Sequence, residues 1–111
     1  MQLKVTTSEE LGWTVIRAEG EIDIASAPLL DDAVDEAVGS GSHHVAVDLQ
    51  PIGFMDSTGL RSLISAHRQL EKNGGRLVVI PGSGPVRRLL QVAGVEETLH
   101  LAASVEDLPA R

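Results

Sequence analysis

The chain of 111 residues has the size of one domain, which we expect to span residues 1–111; its 9 basic and 16 acidic residues give a net charge of −7. This acidic balance, with aromatic residues at only 2%, disfavours binding to nucleic acid or to an anionic membrane. The absence of cysteine excludes disulfides, thiol catalysis and thiolate-bound zinc.

The first half of the chain predicts a β-hairpin followed by a helix. Short strands are expected at residues 3–7 and 13–19, and Leu11-Gly12 supplies the turn between them. Ser26 is a candidate N-cap for a helix whose apolar residues recur at helical spacing between residues 30 and 38.

The middle of the chain predicts a buried strand and a long helix. A β-branched run at residues 45–49 is typical of a buried strand, which Pro51 and Gly53 are expected to break. A helix at residues 60–70 is the clearest element, because its apolar side chains follow i, i+3, i+4, i+7 and i+10 spacing.

The last third repeats this alternation after the stop signal Asn73-Gly74-Gly75. It predicts an apolar strand at residues 77–80, a helix at 85–93, a short strand at 98–101 and a last helical turn at 104–108.

Together these elements predict an α/β domain with a mixed sheet of four to five strands, covered by about four helices. The initial hairpin is antiparallel. The strands at 45–49 and 77–80 flank one helix, so they are expected to run parallel through a right-handed crossover.

Neither targeting nor membrane insertion is predicted. The N-terminal residues are polar and lack an apolar signal core, and no apolar run approaches the roughly 20 residues of a membrane span. We therefore expect a cytoplasmic protein that acts on small molecules or on other proteins.

Ser57, in the segment before the long helix, has three candidate interpretations from residue pattern alone. Asp56 and Ser57 are both good N-caps, so Ser57 could serve only to cap the helix. As a catalytic nucleophile it lacks support, because Met55 stands where a nucleophile elbow requires glycine. His67, ten residues along the helix, lies ~15 Å away, too far to act as its base. No catalytic residue is predicted, and the protein is not expected to be an enzyme.

Neither a cofactor nor a metal ion is predicted. The loop at residues 82–85 lacks the ending of a P-loop and the spacing of a dinucleotide-binding loop, and is typical of a tight turn. The adjacent His43 and His44 would point to opposite faces of a strand. His67 lies in an apolar stripe and is interpreted as a partly buried or interface side chain.

A further interpretation is that Ser57 is a phosphorylation site. A hydroxyl at a helix start on an exposed loop is accessible to a kinase, and a phosphate there faces free N–H groups and the positive end of the helix dipole. The fold should tolerate this modification, so its effect would fall on the surface. Thr58 is a second candidate acceptor.

Four segments resemble the anti-anti-sigma factors, the STAS-domain antagonists of bacterial anti-sigma factors. The segment MDSTGL at residues 55–60 is similar to the family's signature around its phosphorylated serine. Supporting matches are GEID at 20–23, NGGRL at 73–77, and PVRRLL at 85–90 followed by Gly94. The resemblance covers the chain from about residue 3 to residue 108 and implies the STAS fold.

The resemblance also implies partner switching. In this family the unphosphorylated protein binds an anti-sigma factor, itself a serine kinase with an ATP-binding fold, and so frees a sigma factor. Phosphorylation by that kinase ends the complex, and a phosphatase reverses it. Ser57 matches the acceptor; Asp56, Thr58 and Gly59 match the loop around it, and Asp23 matches a neighbouring loop. All five are therefore expected at the partner-binding surface.

Other roles for the same fold remain open. Isolated STAS proteins also resemble small subunits of lipid-transporting ABC systems, where they contact the ATPase. The intact signatures at residues 55–60 and 20–23 favour the sigma pathway. A stressosome scaffold is disfavoured, because such proteins usually carry an additional N-terminal domain.

Overall fold

The computed structural model describes residues 2–109, which form six strands, three α-helices and one turn of 3-10 helix. The strands are β1 Leu3–Glu10, β2 Trp13–Ile22, β3 His44–Asp48, β4 Ile52–Met55, β5 Arg76–Ile80 and β6 His100–Leu101. The α-helices are α1 Ala27–Gly39, α2 Ser57–Lys72 and α3 Pro85–Ala93, and the 3-10 turn is Val105–Asp107.

All six strands join one mixed sheet, which confirms the predicted α/β class. The order is β1-β2-β3-β5-β6, with β1 antiparallel to β2 and the other pairs parallel. The strand β2 is shared, because residues 14–17 pair with β3, whereas residues 20–22 pair with β4 after a register shift between Gly20 and Glu21. This shift lets β2 continue to the edge where α1 and α2 begin.

Apolar residues cover both faces of the sheet, as its parallel strands require. On one face, alternate residues of the strands pack against the three helices in a core that includes Ile16, Val47, Leu63 and Leu90. On the other face, Trp13, Val15, Ala46, Val78 and Ile80 pack with Leu108 near the C-terminal end. The indole N–H of Trp13 donates to the carbonyl of Pro109 at 2.6 Å, which ties this end to the sheet.

Two details of the predicted elements are wrong. The strand β4 was not predicted, so the sheet has six strands rather than four to five; this strand has only four residues and includes Gly53, directly after Pro51. The predicted last turn at residues 104–108 is present as the 3-10 turn Val105–Asp107, but it is not an α-helix, so the α-helices number three in the described chain rather than about four. Short elements depend on tertiary pairing, which local pattern does not report.

No helix between residues 2 and 109 has both the length and the apolar character needed to cross a membrane.

Candidate functional site

Asp56 fixes the point where β4 ends and α2 begins. Its backbone is extended, with φ −103° and ψ −171°, and its Oδ1 accepts a hydrogen bond from the backbone N–H of Thr58 at 2.9 Å. Its own N–H donates to the carbonyl of Ile22 at 3.2 Å. The N-cap of α2 is therefore Asp56, and Ser57 is the first residue of the helix rather than its cap.

Ser57 is exposed at this helix start. Its hydroxyl forms no hydrogen bond to any residue between 2 and 109, so neither a capping role nor an activating base occupies it. A hydroxyl without a partner can accept a phosphoryl group without loss of an existing contact. The free N–H groups and positive dipole end of α2 favour the negative charge that follows.

Thr58 and Gly59 face inward from the same turn. Thr58 is half-buried and lines a groove between α1 and α2 together with Asp31 and Arg61. Gly59 is buried, and a Cβ atom on it would lie only 2.7 Å from Sδ of Met55 and 2.9 Å from Cγ2 of Ile22. This close approach lets the first turn of α2 pack directly on the ends of β4 and β2.

Asp23 organises the loop that joins β2 to α1. Its Oδ1 accepts hydrogen bonds from the backbone N–H groups of Ala25 and Ser26, both at 3.0 Å. The Ser26 side chain makes no capping bond to α1; its hydroxyl donates to the carbonyl of Glu21 at 2.9 Å and accepts from the N–H of Asp23. Asp23 is thus a structural residue of this loop, a role that its residue pattern alone did not predict.

The Asp23 loop and the Ser57 helix start lie at one edge of the sheet. Residues Ile22 and Met55 are paired in the parallel β2–β4 ladder, so the segments that follow them emerge side by side. The bond from the Asp56 N–H to the Ile22 carbonyl joins the two segments directly. The structure therefore brings together the two regions singled out in the sequence, residues 20–23 and 55–60.

Two apolar side chains at this edge were not predicted. Ile24 is 80% exposed beside Asp23, and Phe54 is 46% exposed in β4, where it pairs with Glu21. Single exposed apolar residues are ordinary on protein surfaces, but two at the same edge as an exposed, unbonded serine suit a protein contact. Phe54 is one of only two aromatic residues in the chain, which is the one sequence signal that marks it.

The Asp23 turn predicts a pH-dependent stability. The backbone N–H of Ser26 is the main cause that lowers the pKa of Asp23 below its ordinary value of 3.8; partial burial opposes this, and the Ser26 hydroxyl and Ala25 N–H reinforce it. The folded state therefore binds this proton less readily than the unfolded state. The resulting stabilisation of the folded state is fully present at pH values above the ordinary pKa of 3.8. It is lost as the pH falls through the lowered pKa of the folded state.

We expect Asp23→Asn to be less stable than the natural protein at neutral pH, because the amide oxygen keeps the turn but loses the charge. Urea midpoints of the two proteins, measured from about pH 6 down to the lowest pH at which both remain folded, should differ by a constant amount at the neutral end and draw together as the pH falls below 3.8. Asp32→Asn, on the exposed face of α1, is the control with an intact turn. A constant difference across this range would contradict a role for the Asp23 charge.

The chain is a small α/β domain with a mixed sheet, and its candidate functional site is the exposed surface at the start of α2. Its sequence matches the STAS domain family over residues 2–108, and the chain belongs to that family. The predicted STAS fold is thereby confirmed.

Relatives with this fold include regulators of sigma factors. The chain is 24% identical over 106 residues to the anti-sigma-B factor antagonist of Staphylococcus aureus, covering 96% of this chain and 98% of the relative. The crystal structure of an anti-sigma factor antagonist from Mycobacterium paratuberculosis matches with a TM-score of 0.87 at 26% identity, covering 96% of this chain and 90% of that one. The phosphorylated form of the Bacillus cell fate determinant SpoIIAA matches in fold with a TM-score of 0.70 at 23% identity, covering 93% and 95%.

Proposed function

We propose that this protein is an anti-sigma factor antagonist that phosphorylation of Ser57 switches off. In its unphosphorylated form it binds an anti-sigma factor, a serine kinase with an ATP-binding fold, and so releases a sigma factor. The observation that carries this proposal is the Ser57 hydroxyl, which is exposed at the first residue of α2 and unbonded among the described residues.

The capping arrangement explains how such a switch spares the fold. Because Asp56 supplies the cap, a phosphate on Ser57 removes no hydrogen bond that holds the start of α2. The phosphate adds about −1.5 to −2 charge, which the helix N-terminus tolerates. Modification therefore alters what the surface can bind without a cost to folding.

The surroundings of Ser57 explain why the modified surface would reject its partner. Ile24 and Phe54 provide apolar contact area at the same edge, while Asp23 and Asp56 are acidic neighbours. A partner that covers this edge removes the phosphate from water. Unless that partner supplies a matching cation, the desolvation of the phosphate opposes binding. We propose that Asp23, Asp56, Ser57, Thr58 and Gly59 form this partner-binding surface, with Gly59 acting through the packing beneath it.

Relatives support this assignment. Proteins similar to this chain over almost their whole length are named anti-sigma factor antagonists, and one protein with the same fold has been solved in a phosphorylated form. The proposal also requires a phosphatase that removes the phosphate from Ser57, and it places the protein in the cytoplasm with its kinase partner. It involves neither a cofactor nor turnover of a substrate.

A pull-down from lysate of the source organism, with Ser57→Ala and Ser57→Asp as parallel baits, tests this function. We expect the Ala bait to retain a small ATP-binding kinase that the Asp bait loses, identified by mass spectrometry. Transporter ATPase subunits on both baits would instead show that the chain serves an ABC system. Incubation of the natural protein with the recovered kinase and ATP should place the phosphate on Ser57, and a phosphopeptide modified at Thr58 would move the acceptor by one residue.

A further inference from the structure

His67, Glu71 and His100 converge at the side of the domain where α2 packs near β6. His67 and Glu71 are one turn apart on α2, whereas His100 is a residue of the edge strand β6. Each offers one ligand atom, and the three atoms all lie within 4.8 Å of one another. The rings of His67 and His100 have centroids 5.7 Å apart at an interplanar angle of 60°.

The hydrogen bonding of His67 is incomplete. The residue is only 8% exposed, and its Nε2 lies 3.4 Å from Oε1 of Glu71, a long contact for a hydrogen bond. Its Nδ1 is the one buried side-chain nitrogen or oxygen in residues 2–109 that has no hydrogen-bond partner. Buried polar atoms are almost always paired, but neither ring nitrogen of His67 has the short hydrogen bond expected of a buried imidazole, and Nε2, which faces the Glu71 carboxylate, is left available to a metal ion.

We propose that these three side chains bind a divalent first-row metal ion of the Zn²⁺ type, with water completing the coordination. Two imidazoles and a carboxylate are ligands that Zn²⁺ uses, and at Zn–N distances of about 2.0–2.1 Å the tetrahedral ligand atoms would lie about 3.3 Å apart. The observed spread requires the side chains to close by about 1.5 Å. Glu71, whose side chain is 57% exposed, is free to make much of this adjustment.

A metal ion at this position would join the last turns of α2 to the edge of the sheet. The strand β6 is only two residues long and pairs with β5 alone, so a second attachment through His100 would stabilise the C-terminal part of the chain. The position is separate from the proposed phosphorylation site, because His67 lies ten residues along α2 from Ser57, ~15 Å away. Success or failure of the metal proposal therefore leaves the partner switch untouched.

Titration with Zn²⁺ and with Co²⁺, using protein purified without a polyhistidine tag, tests the site. We expect Zn²⁺ to raise the melting temperature, and Co²⁺ to give the visible absorption of a low-symmetry site with histidine ligands. The His100→Gln and Glu71→Gln variants should each weaken metal binding by about 100-fold or more, since loss even of an outer-shell partner costs about 10–100-fold. His43→Gln, an exposed histidine next to His44, should bind like the natural protein.

Two results would overturn the proposal. One is the absence of any melting shift and of any Co²⁺ spectrum with the natural protein, which would make the cluster a hydrogen-bonded contact only. The other is a shift that persists in His100→Gln but disappears in His43→Gln, which would move metal binding to His43 and His44. The variants at exposed Glu71 and half-buried His100 avoid the core, so their own melting curves without metal report whether they are folded.

Discussion

Ser57→Asp is expected to bind the proposed partner, an anti-sigma factor kinase, about 100-fold more weakly than Ser57→Ala, a difference of roughly 3 kcal/mol. The Asp side chain places a carboxylate at the exposed start of α2, where a covering partner would desolvate it beside Asp56. A desolvated charge without a matching cation opposes association by several kcal/mol. Isothermal titration of both variants with the purified kinase measures this difference.

The same substitution should leave the fold intact. A carboxylate in the first turn of a helix is favoured by about 0.3–1 kcal/mol. Because Asp56 remains the cap, we expect the melting temperature of Ser57→Asp to equal or slightly exceed that of Ser57→Ala. A loss of kinase affinity in Ser57→Asp at an unchanged melting temperature would show that the charge acts on the binding surface and that the loss is not caused by unfolding.

Ser40→Asp provides the matched control for charge. Ser40 is exposed at the C-terminal end of α1, away from the edge that carries Ser57, so its substitution alters the net charge equally without touching the proposed interface. We expect it to bind the kinase like the natural protein. Equal affinities of Ser57→Ala and Ser57→Asp, or an equal loss in Ser40→Asp, would contradict a local switch at Ser57.

The regular elements could be predicted because their patterns are local. The apolar spacing of α2 and the β-branched runs of β3 and β5 report the faces that pack into the core. The strand β4 escaped prediction because it has four residues and pairs only with the end of β2. The residues of β4 do not show that the end of β2, at residues 20–22, is available for pairing.

Some features of the candidate site could likewise be predicted from neighbouring residues, whereas others depend on the fold. Ser57 and Asp56 were marked by helix-start chemistry, which depends on neighbouring residues. The turn made by the Asp23 carboxylate, the exposure of Ile24 and the buried approach of Gly59 depend on how β2, β4 and α2 meet in space. The cluster of His67 and His100 could not be predicted either, because 33 positions separate two residues that only the packed fold brings together.

The strand β2 changes its pairing partner along its length, and this change brings the two segments of the site, residues 20–23 and 55–60, together. Up to Arg17 the strand pairs with β3, and from Gly20 onward it pairs with β4. This exchange of partners carries Ile22 to the edge, where its carbonyl receives the N–H of Asp56. The geometry of the helix start at Ser57 therefore depends on residues 35 positions earlier in the chain.

Gly20→Ala is expected to destabilise the protein by about 3 kcal/mol, because two penalties combine at this position. Gly20 has φ +117°, a conformation that side-chain-bearing residues rarely adopt. A Cβ atom there would also collide with the backbone carbonyl oxygen of Gln2 and lie 3.4 Å from Cα of Leu3. Since the obstacle is the backbone just before the paired strand β1, either β2 or the start of β1 must shift to relieve it.

The consequence should reach the partner surface. Gly20 sits at the register shift where β2 leaves β3 and joins β4, so a displaced β2 would misplace Ile22 and with it the N-cap at Asp56. We expect the melting temperature to fall by about 10 °C or more, at about 4–8 °C per kcal/mol for a domain near this size. Kinase binding should weaken even where the variant remains folded.

Gly39→Ala is the matched control and should change stability in the opposite direction. Gly39 is the last residue of α1, and a Cβ atom on it would have no neighbour within 4 Å. Alanine is favoured over glycine in a helix by up to about 1 kcal/mol, so this variant should melt at or above the natural temperature. If Gly20→Ala melted as high as Gly39→Ala, the conformation assigned to Gly20 would be wrong. The inference that the change of pairing partner in β2 sets the position of Ser57 would then also be wrong.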